Sequence, residues 1–186
     1  MGEPVLTTLT VLDVAAWRAW LDEHEDDPDA VWLVLAKKGV REPTSLTYAQ
    51  ALDEALCSGW IDGQKRAWDE TTFVQRFSPR RARSLWSQRN QEHVARLVED
   101  GRMRPRGHAE VARAQADGRW DRAYAGSATA QVPPDLLAAL DADPQARAAF
   151  EALSRQDRYS VLHPLMTAPN EDVRAARLAR ALRDLG

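Results

Sequence analysis

The sequence predicts an α+β fold, a small antiparallel sheet packed with helices, followed by a helical C-terminal tail. Three observations predict it. The pattern runs helix, strand, helix and then a pair of strands, an order that disfavours a doubly wound parallel sheet. Val31-Trp32-Leu33-Val34-Leu35 is a continuous β-favouring run bounded by a turn and by Lys37-Lys38-Gly39. Ala125 to Pro134 is small, polar and proline-terminated, and only helical patterns follow it. The implied organisation is a main domain over residues 1–124, a linker over 125–134 and a helical region over 135–186.

Asp13 can cap a helix whose Trp17, Trp20 and Leu21 share one face, and Asp26-Asp27-Pro28-Asp29 ends it. The Val31 run is a strand buried on both faces. Thr47 caps a second helix with Tyr48, Leu52, Ala55, Leu56 and Gly59 on one side. Gly59 to Gly63 begins a return strand. From Trp68 to Phe77 another strand is expected, with Phe73, Gln75 and Phe77 on one face and Val74 and Arg76 on the other. Ser84 caps a helix through Trp86, Asn90, Val94, Leu97 and Val98, stopped by Gly101. Pro105 opens a helix that ends at Gly118. In the tail, Asp143-Pro144 is an N-cap followed by proline at the first helical position. Ser154 with Asp157 resembles a capping box, Pro164 strains the segment that follows it as a kink, and Asn170 starts the last helix. There Arg174, Arg177, Arg180 and Arg183 recur every three residues and read as a solvated face.

The charged fraction of 28% and apolar fraction of 44% suit an ordinary globular protein. The N-terminus lacks a basic segment followed by an apolar run, and position 6 is Leu6 where a myristoylation signal wants Ser or Thr. No apolar stretch is long enough to insert into a membrane. With a single cysteine, Cys57, no internal disulfide forms, and a cytoplasmic location is expected. His24, His93, His108 and His163 are scattered without partners at metal-ligand spacing, so neither a metal nor another cofactor is called for. Cys57 lies near Asp53 and Glu54, whose charges raise a thiol pKa, which favours a structural role over a nucleophilic one.

The net charge of −3 hides an asymmetry. Residues 1–63 carry 4 basic and 12 acidic side chains, residues 64–124 carry 14 and 8, and residues 125–186 carry 7 and 8. The plain reading is pairing of the basic middle with the acidic first third. The functional reading is an anion site. Seven tryptophans fall in the first 120 residues, and the densest block mixes aromatic planes with arginine. Arginine offers forked donors to phosphate or carboxylate and stacks on rings. The candidate ligand-binding residues are therefore Trp60, Asp62, Arg76, Phe77, Arg80, Trp86, Ser87 and Asn90. Against this stands the reading of Phe77 and Trp86 as core.

The same residues carry a family likeness. Ala55 to Gly63 (Ala-Leu-Cys-Ser-Gly-Trp-Ile-Asp-Gly), Arg76-Phe77-Ser78-Pro79-Arg80, Trp86-Ser87 with Asn90, and Gly101-Arg102-Met103 resemble the YdeI/OmpD-associated, or bacteriocin-protection, family. Pro133-Pro134-Asp135-Leu136, Phe150 with Leu153, and the Glu171 to Leu185 helix resemble its tail. One departure is the segment His163 to Asn170, where such tails are expected to carry Lys and then Thr-Arg. The resemblance implies a role in envelope stress or tolerance of bacteriocins. It carries no biochemical activity with it.

The resulting expectation is a non-enzymatic bacterial binding protein that takes an anionic small ligand or a protein partner. A nucleic-acid-binding module using the basic 64–124 segment is the first alternative. It is not favoured, because the net charge is negative and no stacking series interleaves the arginines. An enzyme of unrecognised mechanism is the second, supported only by the clustering of Asp62, Arg80, Ser87 and Asn90. The sequence does not reveal an oligomeric state.

Overall fold

The computed structural model describes residues 8–25 and 27–186. The N-terminal segment through Thr7, with its expected lack of a signal, and Asp26 in the turn after the first helix lie outside the described residues. The chain divides into two compact units, residues 1–84 with 92–120, and residues 85–91 with 121–186. Residues 85–91, placed in the main domain by the sequence, thus cluster with the tail.

The first unit holds a four-stranded sheet in the order β1 (Thr8–Leu9), β2 (Val31–Ala36), β4 (Thr72–Pro79), β3 (Trp60–Ala67). Strand β2 (Val31–Ala36) is central and buried at all six positions, as its unbroken apolar run requires. It pairs antiparallel with β4 (Thr72–Pro79), which pairs antiparallel with β3 (Trp60–Ala67). The short β1 (Thr8–Leu9) lies parallel to β2, a pairing too brief to leave a sequence pattern. The sheet is thus mostly antiparallel and the fold α+β. Trp68, expected inside a strand, lies instead in the turn before β4.

Helices α1 (Val14–Glu23) and α2 (Tyr48–Cys57) are opened by the caps their sequences announce. Asp13 accepts the Ala16 N–H at 2.9 Å, and Thr47 forms a capping box with Gln50. The alternation of the strands then sorts the side chains. Leu33, Leu35, Trp60 and Phe77 join Trp17, Leu21, Leu46, Ala51 and Ala55 in the main core. Trp32, Val34 and Val74 form a second buried cluster from the alternate strand positions. The Trp17 indole N–H donates to the Ala51 carbonyl at 3.1 Å, which satisfies a polar atom with no exposure.

Helix α3 (Gln88–Glu99) begins later than expected. Ser87, not Ser84, supplies the N-cap contact: its Oγ accepts the Asn90 N–H at 3.1 Å, while Ser84 Oγ accepts from Arg81 in a local turn. At the other end, the Gly101 N–H bonds the Val98 carbonyl and the Arg102 N–H bonds that of Leu97, closing the helix as its glycine predicts. Helix α4 (Pro105–Ala116) then packs closely on α2. A Cβ at Gly107 would lie 2.2 Å from the Cys57 carbonyl oxygen, so only glycine permits this approach.

The second unit is built of α5 (Pro134–Ala142), α6 (Pro144–Ala152), α7 (Arg155–Met166) and α8 (Glu171–Leu185). Leu136, Leu140, Ala146, Phe150, Leu162 and Leu165 form its own buried cluster. Asp143, Ser154 and Asn170 cap α6, α7 and α8. Pro164 lies inside α7 without ending it. The arginine stripe of α8 is not uniformly solvated. Arg174 donates through Nε and Nη2 to both oxygens of Asp135, each at 2.7 Å, and through Nη1 to the Leu165 carbonyl. Arg177 donates to the Pro164 carbonyl at 2.6 Å.

Candidate functional site

Trp60, Asp62, Arg76, Phe77 and Arg80 lie in the first compact unit, whereas Trp86, Ser87 and Asn90 lie in the second. Trp60 and Phe77 have no exposure, and their rings pack in the main core. No face of either ring remains for a ligand. Trp86 is 2% exposed and Arg80 4%. The Arg80 N–H bonds the Gly59 carbonyl at 2.9 Å, which ties the end of β4 to the turn that opens β3. Gly59 holds that turn at φ +73°, with Glu110 and Arg106 of α4 close beside it. Asp62 faces Phe77 across the strands and accepts a 2.8 Å hydrogen bond from the Tyr48 hydroxyl. Arg76, half-buried, stands opposite Trp32. In the second unit, Ser87 bridges Tyr124, and Asn90 is 9% exposed.

Three arginines of the basic middle segment are held by acidic residues of the first third. Arg104 donates to the Glu54 carboxylate, to its carbonyl and to Ser58 Oγ, and its Nε lies 3.2 Å from Asp22. Arg102 reaches the other Glu54 oxygen at 2.7 Å. Arg96 donates to both oxygens of Asp53, and His93 Nδ1 lies 3.2 Å from the same group. Because Glu54 is 6% exposed, these partners are needed to offset its desolvation. Burial, then the Glu54 charge, pushes the Cys57 thiol up to about 11, which leaves it a poor nucleophile.

A cleft lies elsewhere, between α7 and α8 of the tail unit. It is open to solvent on one side and has a volume of about 670 Å³, within the range of small-molecule sites. Leu153, Val161, Pro164, Ala181 and Leu185 give it apolar walls, and Arg177, Arg180, Asp157 and Asp184 carry charge there. His163 also lines it. The ring meets Tyr124 edge-on at 4.9 Å and Tyr159 at 5.5 Å. Burial, and then the Arg177 charge, lowers its pKa below the ordinary 6.5. Pro164 has no N–H, which deprives the Ser160 carbonyl beside the cleft of its usual helical donor. Asp157, Ser160 and His163 recur every three residues on α7, but they do not form a relay. Ser160 Oγ donates to the Gln156 carbonyl at 3.2 Å, and Asp157 accepts from Ser154 at 2.6 Å.

Residues 9–110 match the family model described as a domain of unknown function, DUF8412. The chain belongs to that family. Residues 129–186 match the model described as bacteriocin-protection, YdeI or OmpD-associated, the family that the sequence resembles. The Gly-Trp-Ile-Asp-Gly and Arg-Phe-Ser-Pro-Arg segments fall within the DUF8412 match, so the YdeI/OmpD-associated match rests on the tail. No curated protein and no solved structure matches the chain.

The α7–α8 cleft lies wholly within the YdeI/OmpD-associated match. Sequence reasoning missed it because its lining residues are individually ordinary. Two signals pointed near it: Pro164 inside a helical pattern, and arginines at three-residue spacing facing that helix.

Proposed function

We propose that this chain is a non-enzymatic bacterial binding protein acting in envelope stress or bacteriocin tolerance from the cytoplasm. Its ligand is a small amphipathic anion, and the α7–α8 cleft holds it. The observation that carries this reading is the cleft itself, with apolar walls and two arginines beside Asp157 and Asp184, inside the tail that matches the bacteriocin-protection family. The apolar body of the ligand lies against Val161, Pro164, Ala181 and Leu185. Its acidic group meets Arg180 and the donors of Arg177 other than the one bonded to Pro164. Arg180 pairs with Asp184 at 3.5 Å, but both side chains are mostly exposed. Such a pair contributes about 1 kcal/mol at most, so an incoming anion can displace it. The ion pairs of Arg96, Arg102 and Arg104 support a ligand site outside the basic middle segment.

The fluorescent anion anilinonaphthalene sulfonate tests the reading. One equivalent is expected to bind with enhanced emission. Ala181→Trp, which fills the cleft, and Arg180→Glu, which reverses its charge, are each expected to weaken binding by about tenfold, a loss of about 1.4 kcal/mol. Binding that is absent, or unchanged in both variants, contradicts the proposal.

A further inference from the structure

Strand β3 is an edge of the sheet, paired only with β4 among the described residues. From Gly63 to Ala67 it is solvent-exposed. An exposed edge presents N–H and C=O groups to any extended chain that fits. Two features guard this one. The register shifts between Asp62 and Lys65, and the cations Lys65 and Arg66 stand on the strand, over the rings of Phe73 and Trp32 at 4.2 and 4.6 Å.

Protection against stray pairing does not explain the residue that follows. Trp68 is 57% exposed, and no other Trp, Tyr or Phe among the described residues is exposed. The turn carrying it is tied down. Asp69 Oδ1 accepts from the Thr71 and Thr72 N–H groups and from the Thr71 hydroxyl, and Oδ2 accepts from the Thr72 hydroxyl. Lys37 Nζ donates to the carbonyls of Asp69 and Glu70 at 2.8 and 3.1 Å. A large ring on an ordered turn loses little further freedom when it is covered, which is the condition for a strong contact.

We propose that the β3 edge and Trp68 form a docking surface for an extended acidic peptide segment, which adds to the sheet beside β3. The sheet supplies main-chain hydrogen bonds, Lys65 and Arg66 select acidic side chains, and Trp68 covers an apolar one. A second copy of this chain is disfavoured, because it would set Lys65 and Arg66 against their own like charges. Single-stranded nucleic acid would satisfy the cations, but it binds through successive stacking rings and only Trp68 is exposed here.

The test uses an eight-residue peptide alternating glutamate with valine, its lysine-for-glutamate counterpart, and an oligothymidylate, each titrated against the full chain. Tryptophan emission and amide hydrogen exchange are the readouts. The acidic peptide alone is expected to bind saturably, to shift the Trp68 emission and to protect amides between Gly63 and Ala67. Trp68→Ala and the double variant Lys65→Glu, Arg66→Glu are each expected to weaken it by about tenfold or more, as for a hot-spot residue. The melting curve of Trp68→Ala is expected to match that of the parent chain, since the ring is exposed, while the double variant is expected to melt slightly lower because it loses the two cation–π contacts and yet to remain folded at the temperature of the titration. The proposal is overturned by failure of the acidic peptide to bind, by equal binding of the lysine peptide, by undiminished affinity in the Trp68 variant, or by binding of the oligothymidylate in its place.

Discussion

Cys57 illustrates how burial decides chemistry at the scale of one residue. Its thiol has no exposure and is pushed up to about 11 by burial and then by Glu54. Dithionitrobenzoate at pH 8 is expected to leave it unmodified in the folded chain and to titrate one thiol in denaturant; prompt modification of the folded chain contradicts this. The raising by Glu54 was legible in the sequence, whereas the burial that is its larger cause was not, since the helix pattern set Cys57 beside polar residues. The same Glu54 receives Arg102 and Arg104 from nearly fifty residues away, and that pairing was legible only as a charge imbalance between thirds. Trp60, Phe77 and Trp86 show the limit. Residue type and spacing identify an aromatic-arginine block, but whether a ring faces solvent or core depends on which strand covers it.

Single elements were read well wherever capping chemistry is local. Asp13, Thr47, Asp143, Ser154 and Asn170 each cap the helix they precede, and Gly101 ends α3. Trp68 was misplaced because alternation continues past the true strand end, and Ser84 because Ser87 is an equally good cap three residues later. The arginine stripe of α8 misled for another reason. Three-residue spacing marks a face but not its neighbour, and here the neighbours are Asp135 and the carboxyl end of α7. Arg174→Ala is expected to lower stability at pH 7 by about 1–2 kcal/mol, the scale of half-exposed charge-assisted bonds. The Arg174 hydrogen bonds hold the Asp135 carboxyl below its ordinary 3.8. Its contribution is therefore complete above that value and lost as pH falls through the lower folded value. In urea unfolding followed by circular dichroism, the gap between parent and variant is expected to narrow below pH 3.8. A gap absent at pH 7, or widening in acid, contradicts the account.

On the scale of the whole chain, the fold class followed from the order of patterns, whereas the candidate site did not. For the basic middle third the sequence offered pairing with the acidic first third beside an anion site, and Arg96, Arg102 and Arg104 do pair with Asp22, Asp53 and Glu54. The cleft arises from two helices in the nearly neutral last third, where no compositional signal stands out. Its residues come together where α7 runs on through Pro164 and Arg177 donates to the Pro164 carbonyl. No helix among the described residues is long and apolar enough to cross a membrane. The measurement that tests the central claim most directly is a map of amide chemical shifts in the full chain on titration with anilinonaphthalene sulfonate. The account predicts saturable shifts centred on Val161, His163, Arg177 and Ala181. Shifts centred instead on Trp60, Asp62, Arg76 and Asn90 would contradict it and return the site to the aromatic-arginine block.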